Sequence, residues 1–148
     1  MKIDTIHIYR IKEQTKENEY VSLGENKVPK YFNAVRWEET NKKDREFVFI
    51  KHPDKEEYKI LSLREDAGSN VWLTVASDEN IIGSSFLQFN EPSQLFSLVN
   101  FGDFVAFKQG AKNKYMDVNK STGNIAMWEG DSNGNPKDNQ LFKLKKLR

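Results

Sequence analysis

The chain contains no cysteine and only two histidines, His7 and His52. The first absence removes thiolate nucleophiles and disulfide scaffolds, and so few histidines remove the usual zinc ligand sets as well. Neither histidine sits in a recognisable catalytic motif, so both read as ordinary strand or loop residues, and no metal or cofactor is implied. A long apolar run is also missing. The opening MKIDTIHIYR is neither a signal peptide nor a membrane anchor. The expectation is a soluble chain without membrane insertion, made in the cytoplasm, able to act outside the cell or to be excised from a larger protein. Charge of one sign is not in excess either. Lys+Arg 23 against Asp+Glu 22 leaves a net charge of +1, so there is no electrostatic case for nucleic acid. The basic tail KLKKLR, Lys143 to Arg148, reads as a solvated strand end.

What is present is 148 residues with 37% hydrophobic and 30% charged side chains, the balance of one globular domain spanning 1–148. A chain of that length buries about two-thirds of its unfolded surface without covalent staples.

Self-comparison shows three units, at approximately 1–53, 54–101 and 102–148. REFVFI, QLFSLV and QLFKLK close them, placing Phe47, Phe96 and Phe142 at spacings of 49 and 46 residues. Apolar residues follow two positions later at Phe49, Leu98 and Leu144, as strand alternation requires. Three further short runs precede each closing strand. IHIYRI, EYVSL and NAVRW lie in the first unit, YKILSL, VWLTV and SFLQF in the second, and FVAFK, KYMDV and NIAMW in the third. Glycine and asparagine punctuate them in STGN and DSNGNP, where positive φ is needed. The expectation is an all-β chain of twelve short strands, in a β-trefoil of three four-stranded repeats whose closure leaves no exposed edge.

The units differ where chemistry enters. Asp117 in YMDV is Ser22 in YVSL and Thr74 in WLTV, and the pair Asn139-Gln140 is Asp44-Arg45 in the first unit and Ser93-Gln94 in the second. Only the third unit combines an acid, a tryptophan and an amide pair. A pyranose offers one face of C–H groups that suits an indole, and a rim of vicinal hydroxyls that suits a carboxylate with an amide.

In YMDV, IAMW and DNQLFKL the third unit resembles a subdomain of the ricin-type, or R-type, lectins. The resemblance implies that Asp117 accepts hydrogen bonds from two sugar hydroxyls, Trp128 stacks on the ring, Asn139 bonds one of the same hydroxyls and Gln140 orients Asp117. It implies galactose-type glycans as partners; the choice among sugars depends on loop geometry around Gly123 and Asn133 to Asn135, which the sequence does not give. Departures are the closing Phe142 in place of tryptophan and the lack of disulfides. Trp37, with Asp44 nearby, offers a second, altered site in the first unit, although a partly buried core or rim tryptophan is the preferred reading of that position. The chain's size and its NQLFKLKKLR ending are also similar to small trefoil haemagglutinin components of bacterial toxin complexes, which implies an attachment or adaptor subunit. Asp117 and Trp128 are both expected to be exposed, so that removing either side chain costs little stability.

The alternative is a non-catalytic protein-interaction trefoil, an inhibitor or structural subunit using the polar loops RIKEQTKENEY and WEETNKKDREF to bind a protein partner. Catalysis is not expected. Glu38-Glu39 and Glu56-Glu57 are adjacent in charged loops rather than convergent on one groove, which glycoside hydrolysis would need.

Overall fold

A computed structural model describes residues 8–13, 20–23, 31–37, 45–63, 71–84, 91–109 and 113–147. They form twelve strands. β1 (Ile8–Glu13), β2 (Tyr20–Leu23), β3 (Tyr31–Trp37) and β4 (Phe47–Lys51) belong to the first unit. β5 (Tyr58–Ser62), β6 (Val71–Val75), β7 (Ile81–Ser84) and β8 (Ser97–Phe101) form the second. β9 (Phe104–Lys108), β10 (Lys114–Val118), β11 (Ile125–Glu129) and β12 (Phe142–Lys146) form the third.

One of the twelve runs is displaced from its expected place. The third strand of the second unit is Ile81–Ser84 rather than SFLQF, and residues 85–90 lie outside the described residues. The cause is the turn before it. Asp78 accepts from the backbone N–H of Asn80 at 3.0 Å, and Glu79 takes a left-handed φ of 72°. The chain reverses there, and β7 pairs at once with β6. Asp and Asn side chains make such reversals by bonding the backbone two residues on.

Six strands close a ring. β12 pairs β1, β1 pairs β4, β4 pairs β5, β8 pairs β9 and β9 pairs β12, all antiparallel. The remaining join is one bridge, in which Tyr58 and Phe96 exchange backbone hydrogen bonds of 2.8 and 2.9 Å. The other six strands are the hairpins β2–β3, β6–β7 and β10–β11. They lean on one another through a β3–β7 ladder and a bridge from Asn80 to Ala126.

The ring is filled by the repeated aromatics. Phe47, Phe96 and Phe142 are each fully buried, and Phe107 meets Phe142 edge-on with centroids 5.5 Å apart. Phe49 stacks on Phe107 at 6.2 Å and takes an edge contact from Tyr9 at 5.6 Å. Offset and edge-on contacts of this kind add about 0.5–1.5 kcal/mol per pair beyond area burial. Phenylalanine at the closing position therefore does the packing. Gly123 and Gly134 both have positive φ, 77° and 80°, in the two turns where the sequence calls for it.

Candidate functional site

Strand alternation sends Asp117, on β10, to the outer face of the third hairpin, directly across from Ala126 on β11. Trp128 stands two residues farther along the same face, so acid and indole share a surface. Trp128 is 61% exposed, an uncommon state for an indole on a single chain. Asp117 is half-buried rather than open, which corrects the expectation that both side chains lie free.

The amide pair arrives from below. After Pro136 the chain makes a short 3-10 turn, Asp138–Gln140, that carries both amides to the carboxylate just before β12 begins. Gln140 is fully buried. Its Nε2 donates to Oδ2 of Asp117 at 2.8 Å and to the carbonyl of Glu129 at 2.9 Å, while its Oε1 accepts from the backbone N–H of Lys137 at 2.8 Å. Asn139 Nδ2 donates to Oδ1 of Asp117 at 3.0 Å and to the carbonyl of Val118 at 3.0 Å. The four residues named from the sequence thus fall in one place, three of them hydrogen-bonded together and the fourth beside them.

The bonding leaves a definite chemical character. Both amide hydrogens of Asn139 are used, so its remaining capacity is the acceptor Oδ1, and each oxygen of Asp117 keeps a lone pair. The floor offers acceptors aimed at hydroxyl donors. Burial raises the carboxyl of Asp117 above its usual value of 3.8, against the opposing pull of the Gln140 bond, Lys137, the Asn139 bond and Lys120. Asp117, Asn139, Trp128, Lys137 and Lys120 line an open cleft of about 450 Å³, with Gln140 behind it. Lys120 also reaches Asp138 at 3.1 Å.

No protein-family model matches the chain, and no curated protein does. Solved structures do. The designed three-fold symmetric protein ThreeFoil superposes with a TM-score of 0.74 at 17% identity, over 95% of this chain and 99% of that one. A Polyporus squamosus lectin bound to the epitope Neu5Aca2-6Galb1-4GlcNAc gives 0.76 at 18% identity, over 99% of this chain and 51% of its own. A mosquitocidal holotoxin gives 0.79 at 16% identity, over 99% of this chain and 18% of its own. A structure described as the BEL β-trefoil matches over 98% of this chain and 96% of its own, with a TM-score of 0.72 at 11% identity. The fold is a β-trefoil. This chain therefore spans about half of the Polyporus lectin and under a fifth of the holotoxin.

The other two trefoil units show what the third has gained. In the second, Gln94 donates to Thr74 Oγ1 at 3.2 Å, the bond that Gln140 makes to Asp117. Thr74 is fully buried, and its hydroxyl donates on to the carbonyl of Trp72 at 3.0 Å. That pair brings no carboxylate, and its hydroxyl is buried out of reach of a ligand. In the first, Arg45 replaces the glutamine and lies 4.7 Å over the ring of Tyr20, while Ser22 is buried. Trp37 pairs with Tyr20 as Trp128 pairs with Tyr115, so its backbone holds the stacking register. Its side chain and Asp44 lie outside the described residues.

Register also exposes a residue that sequence comparison missed. The partner of the acid position is Ala126 in the third unit, Val35 in the first and Ile82 in the second. A single methyl group there keeps the floor open between Asp117 and Trp128. The shift of β7 hid this signal, because it misaligned the second unit. By register the stacking position of that unit is Ser84, not Phe89. The stretch Asn133 to Asn135, expected to border the site, is instead folded onto Asp131 through bonds of 2.8 and 3.0 Å and does not line the cleft.

The remaining candidates for chemistry sit elsewhere. Glu56 pairs with Lys51 at 3.3 Å in the β4–β5 connection, and in the same connection His52 Nδ1 accepts from the backbone of Asp54 at 3.0 Å. Glu38 and Glu39 lie outside the described residues, as do His7 and most of the two polar loops, at 14–19 and 38–44. Among the described residues no helix is long and apolar enough to cross a membrane.

Proposed function

We propose that this chain is a non-catalytic glycan-binding protein whose principal sugar site is the cleft of the third unit. The observation that carries the reading is the exposed indole of Trp128 on the same face as a carboxylate whose both oxygens are held by buried or half-buried amides. A galactose-type ring laid on Trp128 would present vicinal hydroxyls to the open lone pairs of Asp117 and to Asn139 Oδ1. Gln140 fixes the carboxylate without touching the sugar. The lectin that shares the fold and is bound to a sialylated galactosyl epitope lends support, at the level of fold. The likeness to part of a holotoxin supports, in the same way, a role in attachment as one component of a larger assembly.

Hydrogen bonds to the charged acid contribute about 1.5–3 kcal/mol each and neutral ones about 1 kcal/mol. In a shallow, solvent-rimmed site the net is about −4 kcal/mol, near a millimolar Kd. Useful retention on a surface then requires several copies acting together.

The test is a glycan array probed with the protein displayed multivalently, beside Asp117→Ala. Binding to galactose-terminated glycans that disappears in the variant is the expected result. Absence of binding by the unaltered protein overturns the reading and favours a protein partner.

A further inference from the structure

The cleft has two polar sides, and only one of them belongs to the third unit. Asp117 pairs with Ala126 across the β10–β11 hairpin, and Ala126 in turn bridges to Asn80 of the second unit. The three residues lie in one row across adjoining strands. Opposed residues on one face stand about 5 Å apart, so Asn80 stands about 10 Å from Asp117 with only a methyl group between.

That far side is fixed before any ligand arrives. Met127 N–H donates to the carbonyl of Glu79 at 2.8 Å, Asn124 Nδ2 donates to Asn80 Oδ1 at 2.9 Å, and Lys114 lies 3.6 Å from Glu79. The left-handed Glu79 folds Asp78 back onto Asn80, whose N–H and Nδ2 donate to the Asp78 carboxylate at 3.0 and 2.9 Å.

Its chemistry differs from that of the Asp117 side. Asn80 has spent its oxygen on Asn124 and one amide hydrogen on Asp78, which leaves the second hydrogen. Beside it the Asp78 carboxylate keeps spare lone pairs. A donor next to an acceptor is the complement of an amide group. The cleft, at about 450 Å³, falls in the range that holds molecules larger than one sugar ring.

We infer that the cleft binds two consecutive sugar residues, the first on Trp128 and Asp117 and the second, a 2-acetamido sugar, over Asn80 and Asp78. The inference rests on the sugar-binding reading above and deepens it. The acetamido carbonyl accepts from Asn80 Nδ2, and the acetamido N–H donates to Asp78. Neither contact exists for a lone ring held at Trp128.

NMR titrations of the full chain with galactose, a galactosyl–glucose disaccharide and a galactosyl–N-acetylglucosamine disaccharide test this. The acetamido disaccharide should bind about tenfold tighter than the other two, the net worth of the two added hydrogen bonds at a solvent-exposed rim. Asn80→Ala and Asp78→Ala, each checked for an unchanged melt, should bring that ratio close to one, whereas Asp117→Ala should lose all three ligands. Equal affinity for the three ligands overturns the inference while leaving the sugar site standing, as do turn variants that weaken all three alike. If the wild-type protein binds none of them, the galactose reading falls and takes the inference with it.

Discussion

Gln140 and Asp117 are joined at 2.8 Å from a fully buried amide to a half-buried carboxylate, and the same amide closes two backbone bonds behind the site. One side chain thus ties β10, β11 and the turn before β12 into a single frame. The conformation of the acid is set from beneath, where solvent and ligand do not reach.

Gln140→Leu should therefore damage both stability and binding. It keeps the volume but leaves the Glu129 carbonyl and the Lys137 N–H without their partner, at a cost of about 3 kcal/mol together. The expected fall in Tm is about 6–12 °C by calorimetry, with glycan binding weakened in parallel. An unchanged Tm would show that water replaces the amide at no cost.

Ala126→Ile should separate the two effects. Isoleucine stands at the equivalent position of the second unit without harm. Folding stability should stay within about 0.5 kcal/mol of the parent, since the side chain projects into an open cleft. Glycan binding, read on the array, should be lost as the floor between Asp117 and Trp128 fills.

Acid should act on binding and on stability in opposite directions. Burial raises the folded-state pKa of Asp117 above its usual 3.8. The stability that Asp117 contributes is then fully present below 3.8 and lost as pH rises through the raised value. In the proposed site the ionised carboxylate accepts the sugar hydroxyls, so glycan binding should weaken as pH falls through that value, beginning above the range of an ordinary aspartate. A pH series of glycan binding checks this, beside a pH series of the melting temperature in which Asp117→Asn is expected to lose the Asp117 contribution.

Gly83→Ala tests packing away from the cleft. A methyl group there would come within 2.5 Å of Leu23 Cδ1 and 2.8 Å of Val71 Cγ1, both in the core. Overpacking of this kind costs about 1–3 kcal/mol. A lowered denaturant midpoint with unaltered sugar binding is the expected pair of results.

Much of this was legible in the sequence because the repeats act as internal controls. Phe47, Phe96 and Phe142 fixed the period and therefore the class, and the contrast of Asp117 with Ser22 and Thr74 picked out the unit with the acid. What stayed hidden has a physical cause in each case. The β6–β7 reversal rests on Asp78 and Asn80, but its positive φ falls on Glu79 rather than on a glycine or asparagine, so the apolar run SFLQF draws the strand to a later position than it takes. Asp78 and Asn80 reach the cleft from another repeat, Asn80 lying 44 residues before its partner Asn124, and a unit-by-unit reading cannot join them. Ala126 was overlooked because a small side chain draws notice only once register shows what its counterparts are.

The ladder between β1 and β12 joins the first strand to the last, from Tyr9 opposite Lys146 to Glu13 opposite Phe142. During synthesis the ring therefore stays open until β12 has left the ribosome. Until then β1 and β9 each present an edge with nothing to bond it, the condition under which strands recruit neighbouring chains. Until β12 docks, a nascent chain of this protein carries those edges bare, so termination before Phe142 would yield aggregates rather than a folded trefoil.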